Sequence, residues 1–204
     1  MGREYLEGLR VPSPRLASRV VLLSERRPRW GADMRSILLR GLVFVAVLAQ
    51  GCSAMKAKGV ELIGRQAPEA RLMYLDGSEI PLSAQRGKYT AIIFWATWCS
   101  HSKTAIVQYE ELARRYAKRK DVEFLAVSVD KNEDFGTLKD RIKYQDLRTM
   151  THIFSGNDSQ DDAFVNLQGE SIPYFVFIDK EGIVRLVDSE FDPLEMYVSQ
   201  EMGK

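Results

Sequence analysis

Apolar side chains fall into runs along the chain, and their spacing predicts most of the elements. Residues 89–95 (Tyr-Thr-Ala-Ile-Ile-Phe-Trp) are almost continuously apolar, the pattern of a strand covered on both faces. Residues 103–118 then carry Ile106, Tyr109, Leu112, Ala113 and Tyr116 three and four positions apart, which predicts a helix with one buried face. Residues 123–129 form a second buried strand, closed by Asp130, and residues 133–144 a second helix with Phe135, Leu138 and Ile142 inward. A short strand over 149–154, a polar loop over 157–162 and a helical turn over 163–167 follow. Strands at 174–178 and 183–187 flank Asp179-Lys180-Glu181-Gly182, an antiparallel hairpin signal. The last helix is expected to open at Asp192-Pro193, with Asp as N-cap and Pro in first position. Ahead of all this, residues 69–75 alternate polar and apolar and turn at Asp76-Gly77 towards Ile80 and Leu82, an earlier hairpin. The succession predicts an α/β fold, a central mixed sheet flanked by helices in three layers.

Charge changes this picture at one end only. The 204 residues carry a formal net charge of +1, but residues 1–51 hold nine Lys/Arg against four Asp/Glu, leaving residues 52–204 with twenty against twenty-four. An acidic body lacks the basic stripe that phosphates require, so nucleic acid is not an expected partner. The one concentrated basic run of the body, residues 114–120, lies where a predicted helix ends, and cations there complement the helix dipole.

The N-terminal segment reads as an address. Arg35 and Arg40 form a positive region and residues 41–49 a short apolar one, too short to span a bilayer permanently. Gly51-Cys52 resembles the lipobox of bacterial lipoproteins, although Leu48 lies one residue farther from the cysteine than that box places its leucine. The resemblance implies a signal peptide over 34–51, a lipid on Cys52 and a tether over 52–63 leading to a domain over 64–204; the other reading is a plain signal peptide or an uncleaved anchor. Residues 1–33 have no periodicity of their own and read as an extension outside the native product or a disordered leader. The implied location is extracytoplasmic and membrane-anchored. Ser53, in place of the aspartate that retains enteric lipoproteins at the inner membrane, points to the outer one.

The chemistry concentrates in Trp95-Ala96-Thr97-Trp98-Cys99-Ser100-His101-Ser102. A cysteine directly after a buried strand and before a helix sits at a helix N-terminus, where free backbone N–H groups favour the thiolate, the reactive form. Trp95 to Cys99 after an apolar strand, with Ile172-Pro173 before the penultimate strands, resembles thioredoxin-fold proteins. Gly64, Ala67-Pro68, Leu75-Asp76-Gly77, Leu82-Ser83 and Phe177-Ile178-Asp179 are similar to the membrane-tethered TlpA/ResA and AhpC/TSA-like branch. The resemblance covers roughly residues 62–200. It implies a cis-proline at Pro173 beside Cys99, an Ile172 backbone open to an extended substrate, and partners that are cysteine-containing extracytoplasmic proteins or small thiols. It implies no cofactor and no metal.

Departures from that family decide the expected mechanism. Ser102 stands where the resolving cysteine belongs, Ile93 where a buried aspartate often lies, Ala105 where a glutamate does and Val107 where the helix usually kinks at proline. With Cys52 assigned to lipid, Cys99 is the one thiol of the mature chain, so no internal disulfide can form. The expected activity is monothiol exchange, isomerisation or trapping through Cys99, with His101 and a hydroxyl hydrogen bond from Ser102 supporting the sulfur, and with Trp98, Ile172 and Pro173 contacting substrate. A redox-inactive binding module is the alternative. A copper-handling protein using Cys99, His101, Met150 and His152 is a further one. A peroxidase is disfavoured, because Thr97 lies only two residues before Cys99.

Overall fold

The computed structural model describes residues 59–203; the signal, Cys52 and most of the tether lie outside them. Two sheets organise this part of the chain. A small antiparallel one pairs β1 (Arg71–Met73) with β2 (Glu79–Pro81). Its turn is closed by Gly77 at φ 84°, and Asp76 accepts from the backbone N–H of Ser78. The main sheet contains β3 (Tyr89–Trp95), β4 (Val122–Ser128), β5 (Thr151–Phe154), β6 (Tyr174–Ile178) and β7 (Val184–Asp188), in the order β5-β4-β3-β6-β7. β3, β4 and β5 are parallel, and β6 and β7 run against them.

The connections explain the layers. β3 leads through α1 (Ser100–Tyr116) to β4, and β4 through α2 (Phe135–Tyr144) to β5. Both crossovers step across the sheet in one direction, and right-handed crossovers that do so leave their helices on one face. Leu112 and Ala113 of α1, Leu138 of α2 and Leu194 and Val198 of α4 (Phe191–Met202) pack there against Ala91, Ile93 and Trp95 of β3. The opposite face carries Ile92, Phe94, Leu125, Val127 and Val176, covered by the β1–β2 hairpin, Leu62 and the short α3 (Asp162–Asn166). The third layer is thus mostly hairpin and turns, with one helix of five residues. Val60–Leu62, at the end of the segment read as tether, form a 3-10 turn with Leu62 buried. Single bridges, Tyr74 to Ile153 and Gln66 to Ile183, partly cover the two outer strands, which limits edge-to-edge association.

Element types follow the sequence pattern closely, and the differences have local causes. α1 starts at Ser100, three residues before the expected start at Lys103 and six before Ile106, because a helix's opening turn need not be apolar. The α4 N-cap is Glu190 in place of the expected Asp192. Phe191 is drawn into the core against Phe175 (ring centroids 6.0 Å apart), and Pro193 still falls within the first turn, where its missing N–H leaves no bond unmade.

Leu112 is fully buried between α1 and the sheet. Leu112→Ala is expected to lower unfolding stability by about 2–5 kcal/mol through loss of burial and the residual cavity, whereas the exposed neighbouring change Glu111→Ala should shift it by less than about 0.5 kcal/mol. Urea unfolding of the two variants checks the contrast.

Candidate active site

β3 ends at Trp95, and Ala96-Thr97-Trp98 carry the chain over the edge of the sheet to Cys99 at the α1 N-cap (φ −83°, ψ 120°). The Cys99 carbonyl accepts the first helical bond, from Lys103 N at 3.1 Å. Its side chain caps no helix N–H. The half-buried thiol instead points to the Ile172 carbonyl oxygen, to which Sγ donates at 3.7 Å. The Ile172–Pro173 peptide bond is cis. Ile172 is half-buried and makes no backbone-to-backbone hydrogen bond among the described residues, so its peptide group beside the sulfur holds only the thiol contact. Such a group can accept an added strand.

The other expected residues divide into three environments. Trp98 is 61% exposed beside Cys99. His101 is exposed in the first turn of α1 and shares an open groove with Thr104, Gln108, Pro173 and Glu190. Ser102, one turn after Cys99, has no exposure, and its hydroxyl has no hydrogen-bond partner. The expected hydroxyl bond to sulfur is therefore not made: burial of Ser102 against the core draws its side chain inward. Ile93 is fully buried, Ala105 is buried, and α1 runs unbroken through Val107; none of them supplies an ionisable group.

Sequence reasoning missed the residue that holds the loop. Asp130, with no solvent exposure, accepts from Thr97 N through both carboxylate oxygens (3.1 Å each), from Thr97 Oγ1 (2.8 Å) and from Ser128 Oγ (2.7 Å). It stands just beyond β4, and parallel pairing of Trp95 with Ser128 brings it level with Thr97. An acidic residue closing one parallel strand next to the cysteine-bearing end of another was the available signal. Copper ligation receives no such support. His152, in β5, bonds through Nε2 with the Leu147 carbonyl of the preceding loop at 2.8 Å, and Met150 is buried in the core. No group of three or more His, Cys, Asp or Glu among the described residues is placed to hold a metal.

These features define a thioredoxin-like fold bearing one cysteine at the N-terminus of its first long helix, beside a cis-proline loop. The profile of the AhpC/TSA family matches residues 63–187, and the chain belongs to that family, in its ResA-like, thioredoxin-fold branch. It is 32% identical over 137 residues to the thiol-disulfide oxidoreductase ResA of Bacillus cereus, covering 67% of this chain and 74% of that one. The ResA of Bacillus anthracis is 35% identical over 138 residues with the same coverage. Among solved structures, a thiol-disulfide oxidoreductase from Bacteroides fragilis superposes with a TM-score of 0.60 at 20% identity, covering 67% of this chain and 99% of that one. That last likeness speaks for the fold.

Two outcomes follow from the buried polar groups. Asp130→Ala leaves the Thr97 N–H and two hydroxyls without their acceptor. It is expected to destabilise the domain by about 3 kcal/mol and to speed alkylation of Cys99 as the loop loosens, with Asp130→Asn milder because an amide oxygen remains. Urea unfolding and iodoacetamide kinetics read the two effects. Burial lowers the pKa of His152 below its ordinary value, so the folded imidazole resists protonation. The unfolded chain therefore binds the extra proton, and stability should fall as pH drops below about 6.5. His152→Gln should flatten that slope in unfolding measured from pH 7.5 to 5.

Proposed function

We propose that this protein is a lipid-anchored, extracytoplasmic thiol-disulfide exchange protein that works through the single nucleophile Cys99. The observation that carries the reading is the pairing of a half-buried thiol at a helix N-cap with the Ile172 carbonyl, whose residue makes no backbone-to-backbone bond among the described residues, while the position one turn on holds a serine. Relatives named thiol-disulfide oxidoreductases support the reaction class. The membrane attachment rests on Gly51-Cys52, and among the described residues no helix is long and apolar enough to cross a bilayer.

The chemistry proceeds by two displacements. Cys99 loses its proton to solvent, and its thiolate attacks one sulfur of a substrate disulfide. The Cys99–substrate bond forms as the substrate S–S bond breaks, and the departing thiolate takes up a proton. Ile172 pairs with the extended substrate backbone, Pro173 and Trp98 flank it, and His101 borders the entry. Ser102 contributes no sulfur, so the mixed disulfide lasts until an outside thiol attacks it. That thiol belongs to a small molecule, a partner protein or the substrate itself; the last case is isomerisation.

Trapping tests this reading. The membrane-attached protein, isolated under non-reducing conditions, should carry disulfide-linked partners that a reductant releases and Cys99→Ala abolishes. Ser102→Cys should reduce the adducts roughly tenfold, because a thiol one turn along the helix can resolve them. If Cys99→Ala captures the same partners in the same amounts, the domain is a binding module and exchange is not its function.

A further inference from the structure

The groove next to Cys99 contains a charge that the fold does not use. It runs between the first two turns of α1 and the start of α4, from Ser100 and His101 past Thr104 and Gln108 on one wall to Ser189, Glu190 and Phe191 on the other. Pro173 and Phe175 line it between the walls. The groove thus begins at the residues that follow Cys99 in sequence and at the proline that follows Ile172, the carbonyl bonded to the thiol. With His101 neutral, Glu190 supplies the one formal charge among the lining residues.

Glu190 is placed rigidly yet left unpaired. Its backbone N–H donates to Asp188 Oδ1 at 2.8 Å, and the next residue, Phe191, is buried against Phe175. Its carboxylate caps no N–H of α4 and enters no ion pair among the described residues. Of the neighbouring acids, Asp188 closes the turn and Glu195 pairs with Arg115, while the exposed Asp192 lies outside the groove lining. An exposed acid is ordinarily just solvated. This one lines, from a hydrogen-bonded turn, the groove that also holds Ser100, His101 and Pro173, the residues next to Cys99 and Ile172.

We infer that Glu190 is a specificity-determining residue, and that the protein substrate presents a lysine or arginine within two residues of the cysteine that Cys99 attacks. The inference rests on the exchange reading and names its substrate class. Half-buried Pro173, on the groove floor, offers apolar surface to the aliphatic stem of such a side chain, and its cation reaches the Glu190 carboxylate. A substrate with an acidic residue there meets like charge and exchanges more slowly.

Short peptides separate the possibilities. The full-length chain carrying Cys52→Ala, so that Cys99 is the reacting thiol, is mixed with three peptides whose central cysteine is blocked as a disulfide with thionitrobenzoate. The residues flanking that cysteine are both lysine, both glutamine or both glutamate. The Cys99 thiolate attacks the peptide sulfur, the new disulfide forms, and thionitrobenzoate leaves as the coloured thiolate whose release is timed.

The lysine peptide should react about two- to fivefold faster than the glutamate peptide, the scale of one exposed ion pair. That ratio should shrink in Glu190→Gln, invert in Glu190→Lys and fall in high salt. Equal rates for all three peptides, a faster glutamate peptide, or a ratio untouched by Glu190→Gln each overturn the inference and leave the exchange reading standing. No reaction with any peptide overturns both.

Discussion

The parallel pairing of β3 and β4 is the constraint on which the site depends. Register from Tyr89 with Val122 to Trp95 with Ser128 brings both strands to one edge of the sheet together. The backbone continues the match one step further, with Val129 N donating to Trp95 O at 2.9 Å. Asp130 and Thr97 then face each other beyond the strand ends and lock the turn between β3 and α1 with buried hydrogen bonds. A buried carboxylate without solvent holds its donors strongly because leaving it unsatisfied is so unfavourable. Cys99, two residues after Thr97, inherits its position from that lock.

The antiparallel strand β6 completes the arrangement from the other side of β3. Its register, Phe94 with Tyr174, brings the segment just before β6 alongside the loop that carries Cys99. Ile172 and Pro173 therefore approach the sulfur as a consequence of sheet order, with β4 and β6 as the two neighbours of β3. The site is a meeting point of three strand ends and a helix N-terminus, and each is held by core packing on both faces of the sheet. Loops held this way can carry chemistry without having structure of their own.

Within that frame a serine at position 102 is accommodated with the architecture intact. A cysteine and a serine differ little in volume, and Ser102 is enclosed without exposure. The fold of the AhpC/TSA family and the thiol-disulfide oxidoreductase likeness are both retained around it. The apolar residues Ile93, Ala105 and Val107 extend the same tendency, leaving the surroundings of Cys99 with few ionisable side chains. Serine at 102 and apolar side chains at 93, 105 and 107 thus sit on a scaffold that keeps the family fold.

The local code was legible in the residues. Continuous apolar runs located β3 and β4, the turn signal over residues 179–182 located β6 and β7, and period-3.6 spacing located the long helices, since burial acts on each element separately. That Cys99 lies beside Ile172 and a cis Pro173 was legible because the two motifs are short and continuous in sequence. Glu190 and Asp130 were not, since each gains its meaning from a segment far away in the chain: Asp130 from Thr97 and Glu190 from the groove wall of α1. The start of α4 also shifted, because the pull of Phe191 into the core outweighed the local capping preference of Asp192. The residues alone specified the elements, the family resemblance and the single cysteine of the motif. Tertiary structure alone decided which carbonyl receives that thiol, that Ser102 is sealed away from it and which carboxylates surround the site. The physical reason is that periodicity reports burial within one segment, whereas hydrogen-bond partners and groove walls arise only when strands and helices distant in sequence are packed together.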